Sequence, residues 1–230
     1  MSGRPIVGEN AETYIKSVAN HGIDVDTRWL IDEGEFPIDC RILDVGSGTG
    51  KLANLLGTET GVHRTVLGID LSPELVAHAK KQSIVSNVSF VEGDFLVWHP
   101  PTNWRPDALI MSFYLHHCED HHANLQKASA LLPPGGRLYV FDRVAEDQSA
   151  LNEFRAFWQR EYREAHEWVE DYPNLCCRPR LIEAAASAEL QCVRHAVSPY
   201  DKRQGIARFP KTLMEFRRPT PSSSPSNVVT

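Results

Sequence analysis

Residues 42–50 read Ile-Leu-Asp-Val-Gly-Ser-Gly-Thr-Gly, and no other stretch restricts the fold of this chain as much. An apolar run ends in Asp44, glycines then recur at every second position, and a helical pattern starts at Lys51. A strand that stops, turns sharply and feeds a helix needs residues without side chains at the turn. The bare backbone there also lets a ligand approach closely. A second acid, Asp70, closes the next apolar run at 66–69. It falls about 20 residues after Gly50, where a doubly wound α/β fold places the carboxylate that holds a ribose.

The glycine spacing separates classes of ligand. A dinucleotide fingerprint asks for Gly-x-Gly-x-x-Gly, whereas the third glycine position here is Lys51. The pattern present is Asp-x-Gly-x-Gly-x-Gly, which resembles the first motif of the class I S-adenosylmethionine (SAM) dependent methyltransferases. Three later motifs follow in the order expected of that family, so the resemblance covers about 41–144. Its motifs are similar to the broad branch of quinone-biosynthesis and natural-product enzymes.

The resemblance implies a cofactor site residue by residue. The turn of Gly46, Ser47, Gly48 and Gly50 meets the methionine end, and Asp44 faces its cationic amino group. Asp70 accepts from both ribose hydroxyls, a bidentate task that suits a carboxylate, and Leu71 packs on the adenine. After the third strand, Asp94 contacts the adenine amino group and Phe95 offers its backbone N–H; an Asp following Gly93 also reads as a plain turn residue. Ser112 or Phe113 closes the pocket at the end of the fourth strand.

Beyond that strand lies Tyr114-Leu115-His116-His117-Cys118. An acceptor that must lose a proton needs a base, and histidine suits that task near neutral pH. His116 and His117 are therefore the catalytic candidates, although one of such a pair serves equally well as a packing residue. Positioning alone supplies much of the rate in an in-line transfer, so no protein nucleophile is required. Tyr14, His21, Tyr114 and Trp158 are candidates for the substrate wall. The histidines at 116, 117, 121 and 122 also suggest a metal, but no Cys-x-x-Cys or His-Glu-x-x-His frame accompanies them. The magnesium pattern of some small-molecule methyltransferases fails because the fifth strand ends in Asp142-Arg143. No metal is expected.

Helical periodicity places one or two helices over 11–33, then strands at 41–45, 65–70, 88–91, 108–113 and 137–142. Helices fall between them at 52–56, 73–84 and 121–132, followed by a helix at 180–188. Two more strands, 190–197 and 213–217, lack a helix between them and form an antiparallel pair. The expected fold is thus α/β and Rossmann-like, doubly wound, with a mostly parallel seven-stranded sheet whose last strand is reversed. A single domain over 1–218 carries a helical N-terminal lid at 11–35 and a helical cap insertion at 145–179. The cap bears an aromatic stripe that includes Phe154, Phe157 and Trp158. The Ser- and Pro-rich tail at 219–230 is expected to be disordered.

Charge and composition narrow the partners. A net charge of −6 and no apolar run of membrane-spanning length argue against nucleic-acid and membrane partners. The basic residues Lys202, Arg203, Arg208, Lys211, Arg217 and Arg218 read as a solvated strand face. Neither Asn-Pro-Pro-Tyr nor Pro-Cys occurs where base-modifying enzymes carry it. Five cysteines without paired spacing, and no secretory signal, suit a cytoplasmic protein. The expected activity is methyl transfer from SAM to a small-molecule acceptor at O, N or C. Two alternatives stand: a SAM-binding protein without transferase activity or with another reaction, and, on a similar sheet, a dinucleotide-dependent oxidoreductase. Nothing in the sequence sets an oligomeric state.

Overall fold

Apolar runs at alternate-face spacing build the sheet. In β1 (Asp39–Val45), Leu43 and Val45 bury against one layer and Ile42 against the other, all with no exposed surface. Strands buried on both faces in this way belong to parallel sheets covered by helices. The computed structural model describes residues 5–20, 23–59, 61–161, 174–200 and 209–220. β2 (His63–Asp70), β3 (Val88–Glu92), β4 (Ala108–Ser112) and β5 (Arg137–Ala145) run parallel to β1. A two-residue strand, β6 (Cys176–Cys177), pairs with the end of β5. β8 (Lys211–Arg217) lies antiparallel between β5 and β7 (Gln191–Val197), giving the path β3-β2-β1-β4-β5-β8-β7. The seven-stranded path with its reversed last strand is the expected one; the short β6 was not.

The helices start where local chemistry starts them. Ser72 caps α4 (Pro73–Gln82) by accepting from the Leu75 N–H, with proline in the first turn and Lys80 and Lys81 in the last. Asp120 does the same for α5 (His121–Leu131) through the Ala123 N–H. α3 (Lys51–Thr58) follows the glycine turn, and α7 (Arg178–Ser187) precedes β7. The link from β3 to β4 crosses the sheet without a helix, with Trp98 and Trp104 partly buried against the core. The helical N-terminal segment is α1 (Glu9–Asn20) and α2 (Ile23–Gly34), and the insertion contains α6 (Gln148–Glu161). Residues 162–173 of the insertion and 221–230 of the expected tail lie outside the described residues.

Two anchors fix the ends of the described chain relative to the sheet. Near the start, the Ile6 carbonyl accepts from Ser72 Oγ at 2.5 Å, and the Gly8 N–H donates to Glu74 at 3.1 Å. This pins residues 6–8 at the carboxyl end of β2. Near the other end, the Gly135 N–H donates to the Arg218 carbonyl at 2.8 Å and the Arg218 N–H to the Gly136 carbonyl at 3.0 Å. Those residues lie where β5 begins, at the opposite edge. The order of the strands reverses between β1 and β4, so a crevice opens at their carboxyl ends.

Candidate active site

The turn after β1 is tied to the end of β2. The Gly46 and Ser47 N–H groups both donate to the Ile69 carbonyl, at 2.8 and 3.0 Å. Asp70 then clamps two backbones: its Oδ2 accepts from the Gly48 N–H at 2.8 Å and its Oδ1 from the Ser72 N–H at 2.9 Å. Gly50 adopts φ 76°, and a Cβ there would lie 2.6 Å from the Phe90 ring, so only glycine lets α3 approach the sheet this closely. Gly46 adopts φ 71°, and a Cβ there would fall 2.6 Å from the Tyr114 ring.

Gly46→Ala is therefore expected to lose about 1–2 kcal/mol to the left-handed backbone alone and more to the clash. Gly61→Ala provides the comparison, because Gly61 has φ 76° with nothing within 4 Å. Denaturant midpoints should show the larger loss at Gly46. Equal losses would mean that Tyr114 yields freely.

The crevice beyond this turn gathers most of the sequence candidates. Gly46, Gly48, Asp70 and Leu71 line one side, with Phe95 behind them. Ser112, Tyr114 and His117 line the side formed by the end of β4. Tyr14 reaches in from α1, its hydroxyl 3.6 Å from where a Gly48 Cβ would sit. Tyr14 thus stands over the glycine turn. Pro5 and Ile6 also contribute to the wall; their part follows from the Ser72 anchor, a contact across 66 residues with no local signal.

Four candidates sit elsewhere within the described side chains. Asp44 and Ser47 are buried beneath the turn, and Asp44 Oδ2 and Ser47 Oγ have no hydrogen-bond partner among the described residues. Asp94 closes its own turn, accepting from the Leu96 N–H at 3.0 Å through its side chain and from Val97 and Trp98 through its carbonyl. His116 is not among the residues that line the crevice; it lines a smaller cavity with His121 and Asp142. His21 lies outside the described residues, as does the side chain of Trp158.

His116 and Asp142 form a pair that the sequence did not disclose. His116 Nδ1 is 2.8 Å from Asp142 Oδ1, and the His116 backbone N–H donates to Oδ2 at 3.2 Å. Asp142 is 3% exposed. Burial pushes its carboxyl up, but the His116 charge and hydrogen bond outweigh that and hold it below the usual carboxylate range. The His116 and His117 rings lie 4.0 Å apart, and His117 alone of the two faces the crevice. His121 accompanies them, its Nε2 2.9 Å from the Leu115 carbonyl, and Asn124 fixes Tyr114 through a 2.8 Å bond from the phenol.

Asp44 and Asp70 are both held toward their neutral forms. Burial and the neighbouring Asp70 push Asp44 up to about 7. Burial also raises Asp70, against the Ser72 and Gly48 N–H groups and His117. Burial and the charge of Asp70 push Tyr14 up to about 12. Two carboxyls, an orphaned buried oxygen and a glycine cradle fit a ligand with a cationic group and a diol.

Residues 42–136 match the family described as methyltransferase domain. An uncharacterized methyltransferase of Bacillus cereus is 35% identical over 113 residues, which cover 48% of this chain and 50% of that relative. The chain spans about half the length of the curated relatives it matches. Among solved structures, one chain of the complex between the Haloferax volcanii Trm112 methyltransferase activator and a methyltransferase superposes with a TM-score of 0.66 at 19% identity. The match covers 93% of this chain and 99% of that one. Geranyl diphosphate C-methyltransferase from Streptomyces coelicolor, solved with Mg2+, geranyl diphosphate and S-adenosylhomocysteine, superposes at 0.62 with 16% identity. It covers 94% of this chain and 86% of its own. Likeness at these identities carries the fold alone. What this crevice binds is a separate question, because function resides in the site.

Proposed function

We propose that this protein transfers the methyl group of SAM to a small organic acceptor in the quinone or natural-product class. The observation that carries the reading is the crevice at the carboxyl ends of β1, β2 and β4, where Gly46, Gly48, Asp70 and His117 meet. In it, the glycine turn, with Asp44 buried beneath, would hold the amino-acid end of the cofactor, Asp70 the ribose diol, and Leu71 and Phe95 the adenine, with Asp94 closing the turn that carries Phe95. Ser112 closes the site near the reacting centre. When bound, the cofactor supplies a methyl carbon made electrophilic by a sulfonium.

The chain's own task is to align the acceptor, exclude water and take a proton. His116 donates Nδ1–H to Asp142, which sets the tautomer and makes its other nitrogen the basic one. Tyr14 and Tyr114 shape the acceptor wall, and His117 stands between it and the cofactor. Among the described residues, the segments at 11–35 and 145–179 belong with the crevice to one domain over 1–218, and 162–173 and 221–230 lie outside the described residues. None of the five cysteines is in a disulfide, which supports a cytoplasmic setting. No helix among the described residues is long and apolar enough to cross a membrane. The acidic net charge and acid-lined crevice support a small molecule over a nucleic acid.

Calorimetry with SAM, S-adenosylhomocysteine, NAD and NADP tests the cofactor. The first two should bind and the dinucleotides should not. Incubation with SAM and panels of phenols, quinols and amines should then release S-adenosylhomocysteine with at least one panel. NAD binding without any response to the sulfur nucleosides would overturn the reading.

A further inference from the structure

Two acids end neighbouring strands at the same edge of the sheet, and they are not equivalent. Asp44 sits opposite Gly68 in the β1–β2 register, two residues short of Asp70. Asp70 accepts two backbone N–H groups and faces His117, so its charge has partners. Asp44 is 2% exposed, and its Oδ2 has no partner among the described residues. Other titratable groups add little positive charge here. Tyr14 comes from α1 and His117 from the turn after β4, and Lys51 opens α3 next to the glycine turn. No lysine or arginine is among the described residues that line the crevice. An isolated carboxylate buried beside a second carboxylate is costly, and such a pair keeps a proton.

We propose that Asp44 holds a proton in the ligand-free protein and releases it when a cationic group seats above it, so that ligand binding at this crevice is linked to pH. The O–H bond of the Asp44 carboxyl breaks, its proton passes to solvent, and the incoming ammonium above the glycine turn balances the charge of the carboxylate left buried beneath it. No electron changes hands, and one positive charge in the site replaces one lost proton. This rests on the cofactor reading above, which supplies a ligand with an amino group. The raised proton affinity of Asp44, about 7, puts the transition within the physiological range.

The sign of the stability effect is fixed by the same shift. A buried acid whose proton affinity is raised from 3.8 to about 7 stabilises the fold fully below the lower value. That contribution is lost as pH rises through the upper one. Without ligand, the melting temperature of the parent should therefore fall between about pH 4 and 7 more steeply than that of Asp44→Asn.

The deciding experiment titrates S-adenosylhomocysteine into the full chain in pairs of buffers with different ionisation enthalpies, at about pH 6, 7 and 8. Release should approach one proton per ligand at the lowest pH and fade at the highest, with affinity rising by up to about tenfold from pH 6 to 7. Asp44→Asn should bind with no such release and a flat pH profile. Binding without proton exchange at every pH overturns the linkage and leaves the cofactor reading standing. Release that persists in Asp44→Asn assigns the proton to another group and overturns it too. No binding at any pH overturns the cofactor reading and the linkage together. Should Asp44→Asn fail to fold, the proton count of the parent decides alone.

Discussion

Asp70→Ala is expected to weaken S-adenosylhomocysteine binding by about 100-fold or more. The variant loses a charged acceptor for two hydroxyls, each such bond being worth about 1.5–3 kcal/mol. It also leaves the Gly48 and Ser72 N–H groups without the carboxylate that now holds them. The glycine turn and the start of α4 would then be set less firmly, so the loss should exceed that of the ribose contacts alone. About 3 kcal/mol corresponds to more than 100-fold in Kd. Circular dichroism should stay unchanged, because the carboxylate sits at the crevice and not between apolar layers. Calorimetry giving the parent's affinity would remove Asp70 from the site.

The second large effect belongs to His116. For an acceptor that must lose a proton and that reaches past the crevice-facing His117 to His116, His116→Ala should slow transfer by about 100- to 10,000-fold, the range of a positioned base, with cofactor affinity unchanged. Asp142→Asn should act in the same direction, because an amide can donate to Nδ1 and stabilise the wrong tautomer. The pH profile separates this from a structural effect: the acidic limb of kcat/KM should shift in Asp142→Asn and be absent in His116→Ala. His117→Ala should instead change cofactor affinity, because His117 faces Asp70 within the crevice. Full activity in the double histidine variant with any competent acceptor would show that alignment suffices without a base.

The contrast between the acids and the histidines shows what can be read along a chain of this kind. Asp44, the glycines and Asp70 announce themselves because one local event, a strand turning into a helix, demands their residue types at fixed spacing. The reversed β8 was legible for a similar reason, since the sequence between it and β7 carries no helical pattern. Asp142 carried no such signal. In the sequence it marked only the failure of a magnesium pattern, and its pairing with His116 depends on β4 lying next to β5, a contact across 26 residues. Pro5 and Ile6 were silent for the same reason, as their place on the wall comes from Ser72. Asp94 was ambiguous from the start, and its bond to the Leu96 N–H gives it a turn to hold whatever else it touches.

The two anchored ends of the described chain have unequal consequences for anyone attaching this protein to something else. Residues 6–8 are fastened to Ser72 and Glu74 beside the crevice, so a bulky fusion joined directly there competes with the wall itself. Arg218 is fastened to Gly135 and Gly136 at the far edge of the sheet, where β5 begins. A surface, a dye or a second enzyme tethered beyond that point leaves the crevice facing outward. Antiparallel insertion of β8 creates this asymmetry: a parallel final strand would have delivered the chain to the reactive edge, and any tether with it.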